Sequence, residues 1–334
     1  MAESRVTPID LEPVERVRVT VLMDNVTDLL IPDEGRVTRY NAPKALAESA
    51  PRVPAQFAAR EVPDTLIAEH GFSALVRVEK GGRERTLLFD TGVSPNGAVE
   101  NMRRLGHSLR DVEVIVLSHG HWDHVTGMEG VARTLGRVGL PVTIHPEFWS
   151  RRRITFPGLD PAELPSASRS ALEGAGFEIV EDRRPSFLLD GSTLITGEVD
   201  RTTEFEVGFR GHESLRHGRW QPDPLILDDQ ALVLRLRDQG LVVLSGCGHA
   251  GIVNTVRYAQ KLTGEQRIAA VIGGFHLSGP MFETIIAPTV DALSELSPGL
   301  LAPAHCTGWK AVHRLAAAFP DAFVQATVGM TIEL

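Results

Sequence analysis

Valines at positions 17, 19 and 21 alternate with polar neighbours across Arg16–Met23, the period of a strand with one buried face. Phe72–Lys80 and Arg85–Asp90 predict two more strands, joined at the Gly81-Gly82 turn. Val112–Leu117 is a short apolar, β-branched run, the pattern of a buried strand. Ser94-Pro95 signals a helix start, with Ser as N-cap and Pro at the first helical position, and that helix runs to about Leu105. Further along, Ala231–Asp238 and Leu241–Ser245 predict a hairpin turned at Gln239-Gly240. Ile252, Val256, Ala259 and Leu262 then share one face of a helix over Gly251–Thr263, closed by Gly264. Ile268–Ile272 and Leu300–Ala304 read as strands, residues from about Pro288 to Leu296 and from about Trp309 to Ala318 as helices, and Phe323–Leu334 as a last strand.

Two stretches lack a period. Ile31–Pro63 is a Pro/Ala-rich connection, and Phe148–Asp223 is rich in Pro, Gly and Arg with shortened strands. The second reads as an insertion, at about 148–223, that could cover a site. Residues 1–15 read as a mobile arm and 16–334 as one domain. Strands in blocks, with helices after several of them, fit an α/β sandwich of sheets flanked by helices.

Composition narrows the class. An apolar fraction of 43% with 23% charged residues is that of a soluble globular protein. No apolar run approaches the ~20 residues that span a bilayer. Met1–Glu15 has no apolar core of a secretory signal, and two cysteines, Cys247 and Cys306, fit a reducing compartment, so a cytoplasmic protein without a membrane partner is expected. A net charge of −9 argues against a nucleic-acid partner and leaves a small-molecule substrate. Arg151-Arg152-Arg153, the one compact basic run, reads as a solvated face or, alternatively, a phosphate clamp. A homo-oligomer is not excluded.

The chemistry lies past the strand ends. His119-Gly120-His121-Trp122-Asp123-His124 places three imidazoles and a carboxylate within six residues, the usual nitrogen and oxygen ligands of zinc. His119 and His121 can serve one ion while Asp123 and His124 turn to a second. Three later strands also end in small residues and a histidine: Gly246-Cys247-Gly248-His249, Gly273-Gly274-Phe275-His276 and His305-Cys306-Thr307-Gly308. Asp90, in Phe89-Asp90-Thr91-Gly92, suits a carboxylate that accepts the second N–H of a metal-bound imidazole. His70 precedes a strand and is the weakest candidate.

Together these motifs resemble the metallo-β-lactamase fold superfamily, over about residue 17 to the C-terminus. Within it, Val21-Leu22-Met23-Asp24-Asn25, Ala68–Ser73, Thr196-Gly197-Glu198-Val199, Ser245–Asn254 and Gly273–Leu277 resemble the branch named for dihydropterin–ribofuranosylaminobenzene phosphate synthase. The resemblance implies a four-layer αββα sandwich with two divalent ions at one edge, zinc before manganese or iron. His119, His121, Asp123, His124 and His305 fall on the superfamily's ligand motifs. Where relatives have a bridging carboxylate, Cys247 stands here with His249 two residues on. His249 is the favoured ligand, with Cys247 and Asp229 as alternatives.

The reaction expected is metal-assisted hydrolysis of a lactone, ester or phosphodiester by hydroxide generated at the dinuclear site, with Asp123 and His276 as catalytic groups and His276 as proton donor to the leaving group. The alternative keeps the site and condenses a dihydropterin pyrophosphate with an aminobenzene ribofuranosyl phosphate. A third reading is a non-catalytic sensor of a small ligand.

Overall fold

Val17, Val19 and Val21 turn toward a core that lies between two sheets, and this core sets the architecture. The computed structural model describes residues 8–137, 139–156 and 158–334. One sheet has eight strands, in the spatial order Glu178–Glu181, Pro141–Ile144, Val114–Val116, Arg83–Phe89, Ser73–Lys80, Arg16–Met23, Thr331–Glu333, Val37–Thr38. The other has six: Ser186–Leu188, Thr193–Ile195, Ala231–Leu236, Gly240–Ser245, Ile268–Gly274, Leu301–Ala304. Val76, Leu87 and Phe89 of the first meet Leu232, Val242, Leu244 and Ile272 of the second.

The alternate residues of the same strands face helices. Leu75, Leu88 and Ile115 pack with Ala98 and Met102 of helix Gly97–Arg104 and with Met128 and Val131 of helix Met128–Leu135. On the far side, Val233, Leu241, Val243 and Leu301 pack with Val256, Ala259, Leu293 and Leu315 from helices Ile252–Thr263, Ile286–Leu296 and Trp309–Ala318. Both faces of each sheet are covered, so Leu241–Ser245 carries no polar alternation. The result is the four-layer αββα sandwich. Truncating a side chain of the inner core, Leu244 for example, removes about 2–5 kcal/mol of stability.

Parallel pairing positions the chemistry. Arg83–Phe89, Val114–Val116 and Pro141–Ile144 run parallel to one another, as do Gly240–Ser245, Ile268–Gly274 and Leu301–Ala304. In each set the carboxyl ends therefore lie on one edge, the usual place for a site in parallel sheets. Those ends deliver Asp90, Ser118, Cys247, His276 and His305.

Several elements depart from the pattern-based expectation. The helix after Ser94-Pro95 is capped at Asn96, because the Ser94 hydroxyl is drawn instead to Glu69, whose Oε1 also accepts the Val93 and Ser94 amides. Of Phe323–Leu334 only Thr331–Glu333 is a strand. Residues 148–223 do more than cover a site. Arg152–Ile154, Ala162–Glu163, His212–Arg216 and Arg219–Pro222 form a separate four-stranded sheet, whereas Glu178–Glu181 pairs parallel with Pro141–Ile144 and Thr193–Ile195 joins the six-stranded sheet. Residues 1–7 of the expected arm lie outside the described residues. From Ile9 the chain is pinned: its amide donates to Leu262, Leu11 is buried, and Val14 bridges to Leu236.

Candidate metal centre

The 119–124 motif begins just past Val114–Val116 and turns at once into a short helix, Trp122–Val125. Gly120 is required at this turn, since a Cβ there would stand 2.1 Å from the Phe148 carbonyl oxygen. The turn divides the ligand atoms into two groups. His119 Nε2 lies 3.0 Å from His121 Nδ1, which lies 3.1 Å from His249 Nε2. Zinc–nitrogen bonds of ~2.0–2.1 Å in a tetrahedral shell would hold such nitrogens about 3.3 Å apart. In the second group Asp123 Oδ2 is 3.3 Å from His305 Nε2 and 3.8 Å from His124 Nε2. His70 Nε2, on an exposed ring, is 3.7 Å from the same carboxylate oxygen. Cys247 joins the groups: its sulfur lies with His119 and His124, with His249 and His276, and with His305 and Cys306, each set within 4.8 Å.

Buried atoms without partners test whether these residues fit metal. The Nε2 atoms of His124 and His305 are buried and unbonded within the protein, a cost the fold would not bear without a ligand for them. Their other nitrogens are committed. His124 Nδ1 donates to Asp90 Oδ2 at 2.7 Å, and His305 Nδ1 to Asn25 Oδ1 at 3.3 Å. His119 Nδ1 likewise donates to Ser118 Oγ at 3.0 Å, which leaves its Nε2 as an acceptor. These donations fix tautomers that present a lone pair to the centre. The residues therefore fit divalent metal.

Backbone geometry supports the same cluster. Asp90, His276 and His305 have φ of 55°, 48° and 49°, in the left-handed region that non-glycine residues seldom occupy. Asp90 Oδ1 accepts the Ser118 amide and its Oδ2 the Ser118 hydroxyl, both at 2.7 Å. A side chain at Gly246 would close this arrangement, its Cβ falling 2.1 Å from Ser118 Oγ. Asp24 Oδ1 accepts the His305 amide at 2.7 Å.

Electrostatics separates the two groups. Burial, reinforced by neighbouring imidazoles and, for His119 and His121, by Arg152, holds His119, His121 and His249 well below the ordinary histidine range, so they are neutral. Burial also works against a charge on His124, but Asp90 and Asp123 outweigh it and raise that group to about 9 in the metal-free protein. Burial acts to raise Asp123, yet His124 and His305 overcome it and keep it ionised.

Of the alternatives to His249, Cys247 lies inside the cluster and Asp229 does not. Asp229 stands behind the loop, where its Oδ2 accepts the Ala250 amide at 2.7 Å and burial pushes it up to about 7. His276 lies at the rim, its ring 4.1 Å from that of His249 and its Nδ1 3.3 Å from the Cys247 sulfur. The Arg151–Arg153 run is exposed at Arg151 but not at Arg152, and it is not a free phosphate clamp. Arg152 is buried and paired with Asp223 at 3.0 Å and Asp228 at 2.5 Å, while Arg151 and Arg153 pair with Glu163 and Glu213. Asp228 in turn accepts the Gly120 amide at 2.8 Å, so the small four-stranded sheet braces the metal loop.

Sequence reasoning missed His212, which is buried with its ring 5.3 Å from His121 and 5.9 Å from His249. Burial, then His276 and Arg152, lowers it to about 3. Its setting, at the start of the short strand His212–Arg216, carried none of the strand-end pattern that marked the others. Asp24-Asn25 was legible only as a motif piece, not as the support of His305.

This double cluster at the carboxyl edge of an αββα sandwich defines the class, and the chain belongs to the metallo-β-lactamase superfamily, whose family profile matches residues 67–255. It is 30% identical over 270 residues to the 7,8-dihydropterin-6-methyl-4-(β-D-ribofuranosyl)-aminobenzene-5′-phosphate synthase of Methanocaldococcus jannaschii, covering 80% of this chain and 90% of that one. A ribonuclease Z of Salinibacter ruber is 29% identical over 164 residues, 46% of each chain. Among solved structures, Tm1679, described as a metal-dependent hydrolase of the β-lactamase superfamily, superposes with a TM-score of 0.69 at 25% identity, covering 95% of this chain and 99% of that one.

Proposed function

We propose that the protein is a metal-dependent hydrolase of a lactone, ester or phosphodiester, working at a two-ion centre. The observation that carries this reading is the pair of facing ligand groups, in which His119, His121 and His249 turn nitrogens to one another and the buried Nε2 atoms of His124 and His305 have no hydrogen-bond partner. His119, His121 and His249 would hold one ion; Asp123, His124 and His305 the second, with Cys247 between them. Zinc suits this nitrogen-rich set with a sulfur at hand, and manganese or iron are the other candidates. Divalent metal supplies Lewis acidity there and lowers the pKa of water to ~7.

The protein's own groups do the rest. Asp90 and Asn25 hold the rings of His124 and His305 in place. His276, at the rim and partly exposed, is placed to give a proton to the departing oxygen. A small-molecule substrate suits the net charge of −9.

The test is the rate of bis(p-nitrophenyl) phosphate hydrolysis by zinc- or manganese-loaded protein against chelator-stripped protein. Chelator-sensitive turnover, slowed about 10²–10⁴-fold in His276→Ala with metal retained, is expected. Equal rates with and without metal would overturn the reading.

A second reading has a specific support, the 30% identity to the Methanocaldococcus jannaschii synthase. In it the same centre would stabilise a pyrophosphate leaving group while a dihydropterin is joined to an aminobenzene ribofuranosyl phosphate. Release of pyrophosphate from a pterin pyrophosphate would favour it over hydrolysis.

A further inference from the structure

A cavity of about 170 Å³ opens beside His249 and His276, and its wall is mostly aromatic and apolar: Phe205, Phe209, Phe275, Met281 and Phe282 line it. The rings of Phe209 and Phe282 stand 5.7 Å apart at 52°, and Phe282 meets the His276 ring edge-on at 4.4 Å and 79°. Phe156, about half exposed, extends this row, its ring 6.1 Å from that of Phe209. Met281 and Val207 are exposed at the mouth, a cost in water that the bound group would offset.

The wall is built rather than incidental. Buried Glu206, between Phe205 and Phe209, accepts the Val253 and Asn254 amides at 2.9 and 2.8 Å, at the start of the helix that follows His249. Asn254 Oδ1 accepts the Thr202 and Thr203 amides at 2.8 and 2.9 Å. The segment carrying Phe209 is thus fastened to the loop that carries a candidate metal ligand, which sets the distance from cavity to centre.

We infer that this cavity is the subsite for an aromatic ring of the substrate, seated against the paired rings of Phe209 and Phe282 with its ester, lactone or phosphoester group reaching past His276 to the centre. The inference rests on the hydrolytic reading and deepens it. A void of ~150 Å³ is enough for one benzene-sized ring. Ring edges and faces presented at these angles favour an aromatic guest over an alkyl chain of similar area, and methionine sulfur adds to that preference.

Calorimetric titration of the metal-loaded protein with methyl-, hexyl- and phenylphosphonate tests it. Phenylphosphonate is expected to bind about tenfold more tightly than either of the others. Phe282→Ala, at a partly buried position, should remove most of that preference while metal content stays the same. Equal binding of the phenyl and methyl compounds would overturn the subsite and leave the metal-centred reading intact. Hexylphosphonate matching phenylphosphonate would overturn the aromatic assignment. Failure of all three to bind metal-loaded protein would bring down both.

Discussion

The two halves of the centre are built on opposite electrostatic plans. His119, His121 and His249 form an all-imidazole group, neutral through burial, braced from one side by the small sheet through Arg152, Asp228 and the Gly120 amide. Asp123, His124 and His305 form a carboxylate-bearing group, backed by Asp90 and Asp24 and open toward His70. On the two-ion reading the first half would bind through the geometry of neutral donors. The second carries a carboxylate that would attract a cation, and its side chains are held by further hydrogen bonds. One loop of six residues serves both because the short helix from Trp122 turns its later ligands away from its earlier ones.

Removing a ligand from the neutral half should have the largest effect. His121→Ala is expected to lose metal from that half and to bring metal-dependent turnover to background, read by metal analysis alongside the phosphodiester assay. Full activity in this variant would end the assignment of the imidazole group. A smaller loss is expected where the charged half depends on support. Asp90→Asn keeps the shape but weakens the acceptor for His124 Nδ1, and metal affinity should fall about 10–100-fold in chelator competition. Unchanged affinity would mean that Asp90 does not orient the ring.

Acid should separate the halves in metal-free protein. A histidine held below its unfolded value of ~6.5 stays neutral in the fold while the unfolded chain takes up a proton. Each such group then removes about 1.4 kcal/mol of stability per pH unit as pH falls below ~6.5, and for His212 this continues to about 3. His119, His121 and His249 act in the same sense. His124 runs the other way: its contribution is complete below ~6.5 and is lost as pH rises through about 9. Asp229, raised to about 7, gains stability on acidification and offsets one of the imidazoles. The net expectation is a lower urea midpoint at pH 5.5 than at pH 7.5, with the difference reduced by added zinc. A midpoint that holds or rises on acidification would show that the imidazole group is not neutral.

Ligand types and strand-end positions were legible in the chain because chemistry and period coincide there: a polar histidine directly after an apolar β-branched run has few other reasons to exist. The sandwich followed from the same periodicity. What the sequence hid were long-range partners. Nothing near His305 announces Asp24, and nothing near Gly120 announces Asp228. Arg152 looked like surface charge because its two carboxylates lie 71 and 76 residues away. His212 escaped for the same reason, since only tertiary packing carries it to His121. The reading of 148–223 as one insertion missed that some of its strands complete the main sheets, a pairing that short segments with weak period do not declare.

Thr331–Glu333 lies between Arg16–Met23 and Val37–Thr38, so on the ribosome Arg16–Met23 waits for a neighbour made long after it. Until that neighbour emerges, Arg16–Met23 exposes a bare hydrogen-bonding edge. The same wait applies to the centre, because Asp24 and Asn25 directly follow Arg16–Met23 while His305 follows Leu301–Ala304. A charged half able to hold metal would therefore assemble only once His305 has been made. A nascent chain stalled before residue 305 would hold the 119–124 motif, and Asp24 and Asn25, without His305, and on the two-ion reading would be a weak competitor for divalent metal.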